Sequence, residues 1–167
     1  MTSQPSSAGP FDPPNVVWSP VSPRLATARL ASASISFGLP LIGGVVAAAL
    51  SGIGWLWLIP AVLVVLLAWL AWLIPRQVRA IGYAERADDL LIRKGILVRS
   101  MVVVPYGRMQ YVDVEAGPLA RAFGIASVQL HTASQVTGAV INGLPPVEAT
   151  RLRDQLASRG EARLAGL

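Results

Sequence analysis

The chain has no cysteine and a single histidine, His131. Without cysteine it can form no disulfide, Cys-zinc site, iron–sulfur cluster or thiol nucleophile. That composition is compatible with a reducing compartment. A longer gap is in charge. The 46 residues 30–75, closed by Arg29 and Arg76, hold no Asp, Glu, Lys, Arg or His. Catalytic signatures are missing too: there is no Walker-type glycine loop, Gly-x-Ser-x-Gly elbow or His-Glu-x-x-His motif. Ser and Thr are scattered without a base to activate them. No catalytic residue, metal ligand or cofactor site is therefore assigned, and the chain is not expected to be an enzyme.

What fills the uncharged run is mostly Leu, Val, Ala, Ile and Trp, in a chain that is 53% hydrophobic over 167 residues. One bilayer crossing takes roughly 20 helical residues, so the run is about two crossings long. Ser51-Gly52-Ile53-Gly54 breaks it near the middle. The pattern predicts a two-helix transmembrane hairpin over residues 24–75, with spans near 31–50 and 55–74. Pro40 kinks the first span, and Gly43-Gly44 leaves a smooth surface for helix packing. Trp55, Trp57, Trp69 and Trp72 mark the two interfaces of the second. A cleaved signal peptide fits less well, because the leader is long and proline-rich and a second span follows at once. Arg24, Arg29, Arg76 and Arg79 flank the outer ends, and the connector has no Lys or Arg. The positive-inside rule then places both termini in the cytoplasm of a multi-pass plasma-membrane protein.

Residues 1–23 contain six prolines and read as a disordered tail, its disorder reaching about Asn15. Val16-Val17-Trp18 is the exception, with Trp18 suited to the membrane interface. After residue 75 the pattern changes to short apolar runs between turn residues. Strands are expected over 81–86, 90–93, 96–104, 109–115, 126–132 and 136–141, with a tight hairpin at Lys94-Gly95. Asn142-Gly143 should end the last of them. Pro145-Pro146 opens a helix with an Ala149, Leu152, Leu156 stripe, and Gly160 reads as its C-cap. The domain is thus placed at 76–160, with a tail at 161–167. It is a small antiparallel-β domain capped by a C-terminal α-helix.

The stretch Val104-Pro105-Tyr106-Gly107-Arg108-Met109-Gln110-Tyr111-Val112, continuing to Gly117-Pro118-Leu119-Ala120-Arg121-Ala122-Phe123-Gly124, resembles the signature of the YdbS-like bacterial pleckstrin-homology-like (bPH2) membrane proteins. Met109 stands where Ile is usual and Ala116 where Gln is common. The resemblance spans about residues 18–160. It implies a bent antiparallel sheet capped by a helix, and it implies no defined biochemical activity. It makes Pro105, Arg108, Gln110, Gly117, Pro118, Arg121 and Gly124 the candidate binding positions. The bland reading of these is structural, with Arg108 satisfying loop carbonyls and the glycines fixing a tight backbone path.

Residues 76–167 carry eleven Arg and one Lys against eight acids. Arg93, Lys94 and Arg99 on or beside one hairpin are candidate headgroup contacts, by analogy at the level of fold alone. A solvated basic face is the plainer reading. His131 reads as a solvated strand histidine, and Asp88-Asp89 as a turn rather than a metal pair. The arginines are spread out, without a basic helix or stacking platform, which excludes nucleic acid. Expected partners are the lipid bilayer and a membrane or cytoplasmic protein, including a family paralogue or a second copy. Three functions fit: a non-enzymatic membrane-anchored binding or scaffold module, an accessory subunit assembled through the hairpin, or an anionic lipid-headgroup sensor.

Overall fold

The computed structural model describes residues 16–132 and 139–164. The proline-rich residues 1–15, and 133–138 with the start of the strand expected over 136–141, lie outside them. Two long helices come first: α1 (Arg24–Ser51) and α2 (Leu58–Arg79). Gly52 and a 3₁₀ turn at Gly54–Trp57 reverse the chain between them. Both helices are long and apolar enough to cross a membrane. At about 1.5 Å per residue, α1 is about 42 Å long. Ile35, Leu39, Val62, Val65 and Trp69 point outward and are exposed. Helices that are apolar all round, yet not covered by protein, need a non-aqueous surrounding. The seam between them is narrow. Gly44 faces Ile59 and Pro60, at 3.6 and 3.7 Å from where a Cβ would sit, while Gly43 faces open space. Only one glycine of the pair therefore helps the helices approach. α1 continues on both sides of Pro40.

At the domain end the helices outrun the uncharged run. α1 begins at Arg24, and α2 continues through Pro75 to Arg79. The tail reading of 1–23 is corrected at its last residues: β1 (Ser19–Pro20) pairs with the sheet and Val21 is buried. Trp18 is packed against the domain. Its ring lies under the Arg93 guanidinium, 4.5 Å from the centroid. A short apolar anchor and a proline, which an edge strand tolerates, suffice to order this lead-in.

The domain is two antiparallel sheets. β1 to β4 form the first in chain order, through β2 (Gly82–Glu85), β3 (Asp89–Lys94) and β4 (Ser100–Pro105). β5 (Met109–Glu115), β6 (Ala126–Thr132) and β7 (Ala139–Leu144) form the second. A 3₁₀ turn at Tyr106–Arg108 links the sheets, and a short helix α3 (Pro118–Ala122) links β5 to β6. Alternation sets the faces. Val128 and Leu130 are buried, and Gln129 and His131 point away from the core.

Three sequence expectations are corrected. The strand expected from residue 96 starts at Ser100, because Lys94 pairs with Ser100 and leaves a five-residue loop at 95–99. Gly95, at φ +95°, closes it so tightly that a Cβ would lie 2.0 Å from the Val98 carbonyl oxygen. Asn142-Gly143 does not end β7 but lies inside it. Gly160 is no C-cap: α4 (Pro146–Leu164) passes through it, past the expected tail boundary, and packs it near the Tyr106 backbone.

One apolar core joins the parts. Leu152 and Leu156 of α4, Ile141, Val128, Leu130, Leu90 and the fully buried Tyr106 belong to it. So do Leu25 and Ala28 of α1 and Ile74 and Val78 of α2. Leu30, Ala33 and Leu70 pack against it from further along the helices. The domain is therefore built around the base of the hairpin rather than tethered to it.

Candidate functional site

Two surfaces of the domain are concave and carry chemistry. The first lies between β5 and α4. β5 pairs with β6 on one side, and in the described sheet its other edge is unpaired. A groove of about 290 Å³ runs beside it, lined by Gln110, Tyr111, Arg153, Ala157, Gly160 and Glu161 among others. The pairing register slips between Met109 and Tyr111, so Gln110 is the extra residue of a β-bulge. Bulges re-aim side chains at sheet edges. The family-motif Gln110 is thereby turned outward at the mouth of this groove.

The second lies where the 95–99 loop meets the hairpin. A cavity of about 330 Å³ is lined by Arg29, Leu73, Gln77, Lys94 and the loop residues Ile96 to Val98. Lys94 donates from Nζ to the Val140 carbonyl. Burial lowers its pKa, and the like charge of Arg29 lowers it further.

The structure divides the candidate residues between these and other places. Arg93, Lys94 and Arg99 do not form one site. Adjacent strand positions face opposite ways, so Lys94 enters the cavity while Arg93 covers Trp18. Arg99 is exposed in the loop. Pro105 is the exposed last residue of β4. Arg108 is exposed after the buried Tyr106, and its side chain has no hydrogen-bond or ion-pair partner among the described residues. No loop carbonyl among the described residues accepts from it. Gly117 and Pro118 start α3, Arg121 lies in its last turn with an exposed side chain, and α3 rests against α1. Gly124 lies 3.3 Å, by its Cβ position, from the Arg24 guanidinium. The second half of the motif therefore forms part of the joint between domain and hairpin.

His131 has more company than its sequence neighbours suggest. Its Nε2 is 3.5 Å from Asp113 Oδ2, and its ring stacks on Tyr111 at 4.0 Å. Cross-strand register brings the three together. They lie on the outer face of the sheet, and among the described residues no three His, Asp or Glu converge as a metal site requires.

Sequence reasoning missed the clasp that holds α4. Tyr83 donates to Glu148 Oε1 at 2.9 Å, and Arg151 donates to Glu85 at 2.7 Å and to both Glu148 oxygens. Arg159 donates to the Tyr106 hydroxyl, which donates to the Arg86 carbonyl. Burial and the Glu148 carboxylate push the Tyr83 phenol up to about 12. The Arg151 guanidinium holds the Glu148 carboxyl below its usual value. Tyr83 and Glu148, like Glu85 and Arg151, lie more than sixty residues apart, so these pairs leave no local signal. It also missed Arg29, Gln77 and the loop tip; the signal for the last was three apolar residues between Gly95 and Arg99.

Comparison with known proteins agrees with this architecture. The bacterial PH domain family matches residues 28–160. A curated relative, the UPF0699 transmembrane protein YdbS of Bacillus subtilis strain 168, is 37% identical over 75 residues, 45% of this chain and 46% of that one. The chain spans about half the length of this relative. A solved structure of a DUF1696-family protein with a pleckstrin-homology domain, from Shewanella loihica PV-4, superposes with a TM-score of 0.39 at 15% identity. It covers 48% of this chain and 70% of the other. With most of its length matched, hairpin base and capped sheets together, the chain belongs to the bacterial PH domain family.

Proposed function

We propose that this protein is a non-catalytic, membrane-anchored binding module whose domain recruits an extended segment of a protein partner. In this reading α1 and α2 cross the plasma membrane. The arginines at the outer ends put both termini and the domain on the cytoplasmic side. The observation that carries the binding role is the open edge of β5 beside α4. An edge strand offers unpaired N–H and C=O groups that a partner strand can complete. The groove next to it supplies pockets for alternate side chains, with Arg153 and Glu161 at its rim. The shared core fixes this edge at a set height above the bilayer, as a recruiting surface requires.

The test is photocrosslinking in native membranes from a reactive side chain placed at Gln110, followed by mass spectrometry. A stoichiometric protein adduct, lost when a proline at Val112 disrupts the edge, supports the reading. No adduct above that of a probe on the opposite sheet overturns it.

A second reading has its own observation. Leu58, Val62, Val65, Leu66 and Trp69 line an apolar groove of about 410 Å³ on the outer face of α2. It fits an accessory subunit assembled through its hairpin. Replacing the outward residues of α2, with the seam left intact, abolishes partner recovery under this reading and leaves it unchanged under the first.

A further inference from the structure

The cavity at the hairpin base has an unusual rim. The loop that closes it is apolar at its tip yet is not packed into the domain: Leu97 is 93% exposed and Val98 83%. Ile96 is exposed as well. Exposed loop tips are ordinarily polar, and a run of three large aliphatic side chains there signals a surface that something covers. The loop conformation is firmly set, because Gly95 at φ +95° brings the Val98 carbonyl back against its own backbone.

The height of the loop identifies what covers it. Leu73 and Gln77 of α2 line the same cavity as Ile96, Leu97 and Val98. Leu73 follows Trp72, whose ring carries the Arg76 guanidinium at 3.6 Å and packs on Trp69 at 5.6 Å. Exposed tryptophans with an arginine at the end of an apolar helix mark the membrane interface. The loop tip therefore stands at the level where headgroups meet acyl chains. Beyond the loop toward the tip of the hairpin, apolar helix faces are exposed on all sides.

Charge points the same way. Arg29 and Lys94 both line the cavity, and no acid does. The Arg29 side chain has no hydrogen-bond or ion-pair partner among the described residues. The Lys94 ammonium has three donors, of which the Val140 carbonyl takes one. Two half-buried cations facing a cavity without a counter-charge form a site for an anion, and the anion found at this height is a lipid phosphate.

We propose that the 95–99 loop and the base of the hairpin form a binding site for an anionic phospholipid. Ile96, Leu97 and Val98 dip among the acyl chains. Arg29 and Lys94 hold the headgroup phosphate, and Gln77 adds an amide donor beside them. With α1 and α2 this makes a third point of membrane contact, which sets the tilt of the domain. The site differs from the three-cation set visible in the sequence. Arg93 is on Trp18, and Arg29 comes from α1 at the base of the hairpin. The proposal rests on membrane insertion of the hairpin and not on any protein partner.

The absence of native cysteine makes the test direct. The full-length Leu97→Cys variant, labelled with an environment-sensitive fluorophore, is reconstituted in vesicles of phosphatidylcholine alone or with about one third phosphatidylglycerol. The expected result is blue-shifted emission and quenching by bilayer-resident quenchers, both stronger with phosphatidylglycerol. A water-exposed probe in both vesicles overturns the proposal. Phosphatidylglycerol co-purifying with the detergent-solubilised protein is then counted by native mass spectrometry. Arg29→Gln and Lys94→Gln, the latter keeping an amide donor for Val140, should each reduce it about fivefold. Their thermal melting should be unchanged. Retention that is unaffected, or equal for phosphatidylcholine, overturns the headgroup site. So does displacement of the lipid by excess inorganic phosphate, which would identify a free-phosphate site instead.

Discussion

The two ends of the hairpin live in opposite surroundings. At the tip, the helices touch through Gly44, Ala48, Ile59 and Pro60, and the other faces are bare aliphatic surface. At the base, Leu25, Ala28, Ile74 and Val78 are buried in the same core as Leu152 and Ile141. The tip is left bare by the domain, whereas the base is covered by protein. One pair of helices is therefore an apolar, membrane-length element at one end and a domain element at the other. The domain therefore cannot swing freely on the hairpin, because part of its core is the hairpin.

Substitutions at the base should unsettle both halves, and substitutions at the tip neither. The largest effect is expected for Leu152→Ala, which empties a fully buried site that α4 shares with the sheets. A loss of about 3 kcal/mol follows from burial and cavity formation together. Thermal unfolding in detergent should show it, with new proteolytic cleavage near residues 20–25. Cleavage confined to α4 would mean the two halves are not one cooperative unit.

Gly143→Ala comes next. It adds a Cβ at φ +81°, 2.6 Å from the Leu25 Cβ, where β7 receives the hydrogen bond from the Ser22 N–H at 2.8 Å. About 2 kcal/mol of strain is expected. Leu25→Ala should cost about as much by itself, but the double variant should lose less than the sum, since the shortened side chain yields the space. Strict additivity would show that the lead-in and β7 do not meet.

The α4 clasp is half-exposed, so its pairs contribute less. Arg151→Ala should lower stability by about 1 kcal/mol. Its pH signature is more telling. Glu148 has a depressed folded pKa, so its contribution is present above the ordinary carboxylate value and lost as pH falls through the folded one. Tyr83 has a raised folded pKa. Its contribution is complete below pH 10 and lost as pH rises through about 12. Glu148→Gln should flatten the acid limb of a stability–pH curve and Tyr83→Phe the alkaline limb, and because the two groups share a hydrogen bond each substitution should also weaken the other limb. The smallest effect belongs to the tip: Val65→Ala, on the outer face of α2, should leave the melting of the domain within about 0.5 kcal/mol.

Much of the local structure was legible. The course of β5 and β6 follows from the alternation at Tyr111–Glu115 and Ala126–Thr132, and α4 from its proline start and leucine stripe. The misreadings share a cause. Residues 96–98 look like strand because they are aliphatic, but they form an exposed loop tip outside the sheet. Gly143 and Gly160 look like stops, because glycine usually marks a turn or a cap. Here Gly143 makes room for Leu25, distant in sequence, and Gly160 lies inside a continuous helix beside the Tyr106 backbone. The candidate site was read less well for the same reason. Alternation along β3 separates Arg93 from Lys94, and only the return of α2 beside α1 brings Arg29 to Lys94.

Class and element order can be read along the chain: an uncharged run two crossings long, then short alternating strands and an amphipathic helix. Those properties are local, since length, charge and period are written in consecutive residues. The tertiary structure alone decided how the hairpin and domain are joined, which cations share a cavity and which strand edge stays open. Each of those depends on groups tens of residues apart meeting in one dry core, and no local pattern records such a meeting. The uncharged run is thus more than an anchor, because its first and last turns are walls of the domain that the rest of the chain folds around.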